Sequence, residues 1–145
     1  MKYSELKAIR TLCDGLFSTP DWREVFDNIY DKEPDFEVDG VRFIDADCID
    51  DIQQEELSGD EYMLGCFNSW FLADILGIDE DVILAMQKAE AFEAIGKLVL
   101  SMGKLEELQK EYAAADGYGH HFNHYDGEEE ELIVGKAHYY VFDNR

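Results

Sequence analysis

Little in this chain points away from an ordinary folded domain of the cytoplasm. Of 145 residues only 2 are proline, and no low-complexity tract or internal repeat is present. No run approaches the roughly 20 consecutive apolar residues that span a bilayer. Met1-Lys2-Tyr3-Ser4-Glu5 lacks the apolar core and small-residue cleavage site of a signal peptide, so nothing directs the chain out of the cytoplasm. Cysteine is scarce and odd in number: Cys13, Cys48 and Cys66 stand far apart among apolar neighbours. Zinc sites draw on close pairs, and there are none, so the three read as buried reduced thiols.

The sharpest shortage is of positive charge. Lys and Arg total 12 against 34 Asp and Glu, a formal charge of −22. Such a chain is repelled by nucleic acid and by anionic membranes and is drawn over long range to basic proteins. Direct nucleic-acid binding and membrane attachment are therefore not expected.

Apolar residues are plentiful. They make up 46% of the chain, with 9 Phe, 8 Tyr and 2 Trp, enough for a packed core despite the charge. Length suggests one domain, residues 1–145. Tyr3, Leu6, Ile9, Leu12/Cys13 and Leu16 recur at helical spacing over 3–17. Thr19-Pro20-Asp21 reads as a helix start, with Thr19 as cap and Pro20 at the first position, leading into a helix to about residue 31. Residues 36–44 carry Asp39-Gly40 between alternating apolar positions, the pattern of a tight hairpin.

Helices follow over 47–57 and, after a capping box at Ser58 to Glu61, over 61–76, the least charged stretch and the expected central buried helix. The next runs from an Asp79 cap, stapled by Ile78 and Ile83, to about Met102, with a last helical turn or two over 104–115. Beyond Gly117 the segments His120–Tyr125, 131–134 and 137–142 read as three strands joined at Asp126-Gly127 and Gly135-Lys136. The expected class is α+β: about five helices, an early hairpin and a C-terminal three-strand antiparallel meander.

The charge is uneven. Residues 21–61 hold 16 acids and 3 bases, and Asp126 with Glu128 to Glu131 forms a second cluster. On a strand, Asp35, Glu37 and Asp39 would share a face at intervals of about 6.7 Å, twice the per-residue rise. Asp47, Asp50, Asp51 and Glu55 extend the row at helical spacing. Phosphates along a DNA strand stand on the order of 6–7 Å apart through space, so the row could present carboxylates where a DNA-binding protein expects phosphates. The plainer reading is a solvated acidic face that confers solubility.

Motifs of catalysis are sparse. Asp45 to Asp50 with Glu56 at the twelfth place matches part of a calcium loop, but Ile49 and Asp50 occupy the fifth and sixth places, where an oxygen ligand and a glycine belong. All four histidines, His120, His121, His124 and His138, fall in the last 26 residues. A strand would put His120 and His124 on one face, with Asp116 or Asp126 as oxygen donors for a metal; packing in an aromatic sheet surface is the simpler reading. No glycine-rich phosphate loop and no nucleophile elbow is present. No cofactor, metal or catalytic residue is expected, and the chain is not expected to be an enzyme.

The runs GYGHHFNHYDGEEEE (117–131), HYYVF (138–142) and YMLGCFNSWFLADILGI (62–78) are similar to segments of small phage-encoded proteins of unassigned function. In size and charge the chain resembles the small acidic proteins that bacteriophages and mobile elements encode against host defences, DNA-mimicking antirestriction proteins and anti-CRISPR proteins among them. The resemblance implies a phage-type inhibitor in the host cytoplasm, and the acidic spacing adds the expectation that it occupies the basic groove of a nucleic-acid-binding defence complex. The contact residues would be Asp35, Glu37, Asp39, Asp45, Asp47, Asp50, Asp51, Glu55 and Glu56, with Glu128, Glu129, Glu130 and Glu131 as a second contact. Two rivals stay open: an immunity- or antitoxin-like protein capping one basic enzyme, and a metal-dependent enzyme built on the C-terminal histidines. The weakly charged 62–78 segment could also serve as a homodimer seam.

Overall fold

In the computed structural model, which describes residues 2–145, the chain divides into two units, Met1–Ile49 with Asp116–Arg145, and Asp50–Ala115. The class is α+β, with nine helices and one four-stranded antiparallel sheet among the described residues.

The first unit is the sheet unit. Helix α1 (Tyr3–Gly15) buries Ile9 and Cys13, and α2 (Trp22–Tyr30) buries Val25 and Ile29, as their apolar spacing requires. The start of α2 differs from expectation. Asp21 is the cap, its carboxylate accepting the Arg23 N–H at 3.0 Å, and Thr19 has left-handed backbone (φ 39°). A carboxylate two residues ahead of a free N–H outcompetes the more distant hydroxyl.

The hairpin forms as read. β1 (Asp35–Val38) and β2 (Val41–Asp45) pair with Val38 opposite Val41, and both turn residues, Asp39 (φ 51°) and Gly40 (φ 84°), take the positive φ of a two-residue turn. β3 (Glu130–Val134) and β4 (Ala137–Asp143) form a second hairpin through Gly135 (φ 60°), and the sheet order is β1-β2-β4-β3. One face, carrying Val38, Val41, Phe43, Leu132, Val134, Tyr139 and Val141, packs on Ile9, Cys13, Leu16, Val25 and Ile29. Each such side chain, fully buried, contributes roughly 1.5–3 kcal/mol. On the opposite face Ile44 and Phe142 are also fully buried, and Phe122 packs against Phe142 with tilted rings, their centres 5.2 Å apart.

The expected strand over His120–Tyr125 is absent. Gly119–Phe122 is instead a one-turn helix, α9. The Glu129 carboxylate accepts the N–H groups of Tyr118 (2.9 Å) and Gly119 (3.1 Å), and Asn123 Nδ2 donates to Asp126 (2.7 Å) and to the Glu128 carbonyl (2.8 Å). These bonds take up backbone groups that a strand would have offered to a ladder. Gly119 also lies so near the 127–128 backbone that an added Cβ would sit 2.2 Å from the Gly127 carbonyl oxygen.

The second unit is helical. It takes in α3 (Ile49–Ser58), α4 (Glu61–Gly65), α5 (Ser69–Leu76), α6 (Glu80–Lys88), α7 (Phe92–Ser101) and α8 (Leu105–Asp116), apart from the outermost residues Ile49 and Asp116. Its core is Leu57, Leu64, Leu72, Ile75, Leu76, Ile83, Ile95, Val99, Leu108 and Tyr112. Asp79 caps α6 as expected, and Gly77 (φ 66°) ends α5.

Five expectations are corrected here. The helix over 61–76 is two helices, broken at Cys66–Asn68, and it is not the most buried element: Tyr62 is 55% and Trp70 63% exposed. The break is fixed by Gln87, whose amide donates to the carbonyls of Gly65 (3.1 Å) and Phe67 (2.9 Å). Its cap is Asp60, accepting from Met63 N–H at 3.0 Å, and not Ser58. The helix over 79–102 is likewise two, parted where Glu90 takes φ 57°, while α8 runs a full 12 residues. Backbone contact explains the short lengths. A Cβ on Gly65 would lie 1.9 Å from the Phe92 carbonyl oxygen, and one on Gly96 would lie 2.0 Å from that of Glu61, so α4 and α7 meet through bare glycines.

Candidate acidic interface

The sheet unit and the helical unit each carry a formal charge of −11, from 19 acids against 8 bases and 15 against 4. What separates candidate contacts from structural groups is whether a carboxylate is already engaged.

On β1, Phe36 and Val38 face the core, so Asp35 and Glu37 share the other face. Asp35 is spoken for: Arg42 Nε and Nη2 grip it at 2.9 and 2.7 Å in a two-pronged pair. Asp39 does not continue the row, because the strand ends at Val38, and its carboxylate accepts the Asp21 N–H at 3.0 Å. Asp45 accepts the Asp47 N–H at 2.8 Å, which tightens the chain after β2. Glu37 and Asp47 are exposed, and their side chains form no hydrogen bond or ion pair among the described residues.

The 128–131 run divides in the same way. Glu129 holds the start of α9, and Glu131 pairs with His138 Nε2 at 3.0 Å, while Glu128 and Glu130 stay exposed and unengaged at the side chain. In α3, Asp50 turns inward and accepts from Gln109 Nε2 at 2.9 Å; the fully buried Gln109 also donates to Gln53 at 2.8 Å. Glu56 is exposed. Asp51 and Glu55, one turn apart, form a free pair on the exposed face of α3.

A stronger line escaped the sequence reading. Glu24, Asp27 and Asp31 are exposed along α2 and its final turn, with axial steps of about 4.5 and 6 Å from the helical rise, and none of their carboxylates is engaged among the described residues. Tyr30, 66% exposed, stands beside them. The signal was available: the same 3.6-residue period that reads Trp22, Val25, Phe26, Ile29 and Tyr30 as one inward face places these acids outward, although Tyr30, at the edge of that face, is exposed instead of buried.

No family model, no curated protein and no solved structure matches the chain.

The histidines do not form the strand-spaced pair that the alternative, metal-binding reading needs. His120 and His121 lie in α9, His124 follows it with its N–H bonded to Asn144 Oδ1, and His138 sits on β4 against Glu131. No group of three or more His, Cys, Asp or Glu among the described residues is disposed to hold a metal ion. Cys13 is buried, as read, and burial with the nearby Asp14 and Asp21 charges pushes its thiol up to about 11. Cys48 is only half-buried and Cys66 is exposed, against expectation, because Cys66 falls at the α4–α5 break. Tyr139 donates to the Glu33 carbonyl at 2.9 Å; burial, with Asp45, Cys48 and Glu33 around it, pushes its hydroxyl up to about 12. No described helix is long and apolar enough to cross a membrane.

Proposed function

We propose that this protein is an acidic mimic of nucleic acid, a phage-type inhibitor that occupies the basic groove of a host nucleic-acid-binding defence complex. The observation that carries this reading is the presence of unengaged carboxylates in lines: Glu24, Asp27 and Asp31 on α2, and Asp51 and Glu55 on α3. Charges left without internal partners cost folding energy through self-repulsion, and a basic partner converts that cost into attraction. Their axial spacing of about 4.5–6 Å along a helix approaches that of successive phosphates. Glu37, Asp47, Glu128 and Glu130 add to the field, whereas Asp35, Asp39, Asp45, Asp50, Glu129 and Glu131 serve the fold. Binding of this kind associates fast and weakens steeply with salt.

The test is retention of bacterial proteins on the immobilised chain at low salt, repeated with excess duplex DNA. Basic nucleic-acid-binding proteins should be retained and then displaced by DNA. A single partner held regardless of DNA and salt would replace this reading with that of an immunity-like cap on one basic enzyme. That second reading has its own support in Tyr30, an exposed aromatic ring beside the acids of α2, since binding hot spots favour tyrosine near polar groups.

A further inference from the structure

Positive charge in this chain is as unevenly placed as negative. Residues 1–23 hold 4 of the 12 bases, Lys2, Lys7, Arg10 and Arg23, but only 3 of the 34 acids. On α1 the residues Tyr3, Lys7, Arg10 and Asp14 follow one another at steps of four, three and four, which stacks them in a single exposed stripe. Trp22 of α2 stands against that stripe, with the Arg10 guanidinium 5.8 Å and the Arg23 guanidinium 4.8 Å from its ring centre. Between them lies a cavity of about 370 Å³ lined by Tyr3, Leu6, Lys7, Arg10, Thr11, Asp14 and Trp22. That volume falls at the lower end of the roughly 300–1,000 Å³ typical of small-ligand pockets.

These cations are not used to offset the chain's own acids. Lys7 and Arg23 form no ion pair among the described residues, and Arg10 meets Asp14 only at 3.8 Å between side chains that are both about two-thirds exposed (64% and 67%). A loose surface pair of this kind contributes little, so Arg10 exchanges it readily for a better anion. Tyr3 is 81% exposed, leaving its ring open to a flat ligand. The cavity thus joins two adjacent cations, a hydroxyl at Thr11, two aromatic walls, and one carboxylate able to accept from an amino group.

From this juxtaposition we propose that the α1–α2 cavity binds a nucleoside monophosphate, its phosphate held by Lys7 and Arg10 and its base against Tyr3 and Trp22. Arginine and lysine recognise phosphate through charge-assisted hydrogen bonds, and bases stack on aromatic rings. Asp14, one turn beyond Arg10, repels a longer phosphate chain and favours the monophosphate. The remaining acids repel any anion at long range, while Lys7 and Arg10 act at contact. Salt therefore has an inverted effect: shortening the screening length from about 30 Å at 0.01 M to about 8 Å at 0.15 M removes the repulsion first.

The experiment uses the full chain with Trp70→Phe, which leaves Trp22 as the one indole, and follows its fluorescence on adding adenosine monophosphate, adenosine or inorganic phosphate. The proposal expects saturable quenching by the monophosphate with Kd below about 1 mM. Kd should be at least threefold lower at 0.15 M than at 0.01 M salt, with adenosine and phosphate each at least tenfold weaker. The Lys7→Gln/Arg10→Gln variant, its fold checked by circular dichroism, should bind the monophosphate at least tenfold more weakly. No saturable change up to about 10 mM overturns the site. So does equal binding by adenosine, by phosphate alone, or by the double variant.

Discussion

The two units carry equal charge and use it differently. In the sheet unit, carboxylates tie down irregular backbone: Asp39 holds the Asp21 N–H, Asp45 that of Asp47, Glu129 those of Tyr118 and Gly119, and Asp143 the Ser18 hydroxyl. In the helical unit they cap and brace helices. Asp60 and Asp79 sit at N-termini, and Glu106 and Glu107 reach Lys110 and Lys104 near α8. A count of acids therefore overstates the surface available to a partner, and what remains after engaged groups are set aside is concentrated on helix faces.

The contrast can be broken most sharply at the α4–α7 crossing. Gly65→Ala or Gly96→Ala drives a methyl into backbone that has nowhere to go, and should cost about 3 kcal/mol or more, read by denaturant unfolding. Glu129→Ala should rank next. It leaves two N–H groups in the sheet unit without their acceptor and costs about 1–3 kcal/mol, where Glu128→Ala, its unengaged neighbour, costs almost nothing.

Alkaline pH should reach the sheet unit through Cys13 and Tyr139. Both groups have folded values above their ordinary ones, about 11 against 9.0 and about 12 against 10.0, so the fold favours their protonated forms. Their contribution is intact below about pH 9 and is lost as pH rises toward those values, by up to about 2 kcal/mol for Cys13. Melting followed from pH 8 to 11 should show this decline, shallower in Cys13→Ala. The smallest effect is expected of the free acids. Glu24→Gln with Asp27→Asn should shift stability by no more than about 0.5 kcal/mol, upward if at all, since it only relieves repulsion.

Much of this was legible in the sequence where local chemistry is decisive. Asp39-Gly40 dictated its hairpin, Asp79 its cap, and the apolar period its α1 and α2 faces. The broken helices and the missing strand share one cause, tertiary contact that a linear reading does not contain. Nothing beside residues 66–68 announces that Gln87, about twenty residues on, will satisfy the carbonyls of a broken helix. Nothing within His120–Tyr125 shows that Glu129 will hold the chain in a turn. For the acidic interface, the alternation holds for Asp35 and Glu37 alone, because the chain turns at Asp39, and Arg42, directly across from Glu37, neutralises Asp35. The α2 line was missed because only its apolar side was followed.

The division between engaged and free carboxylates is tested most directly by reversing one set and not the other. Glu24, Asp27, Asp31, Asp51 and Glu55 changed to Lys should abolish retention of basic, DNA-displaceable proteins from lysate, while melting stays within a few degrees of the parent. Asp35→Asn with Glu131→Gln should retain them and melt lower. If the five-fold reversal still captures those proteins with unchanged salt dependence, neither the free line on α2 nor that on α3 is a contact and the mimic reading is wrong.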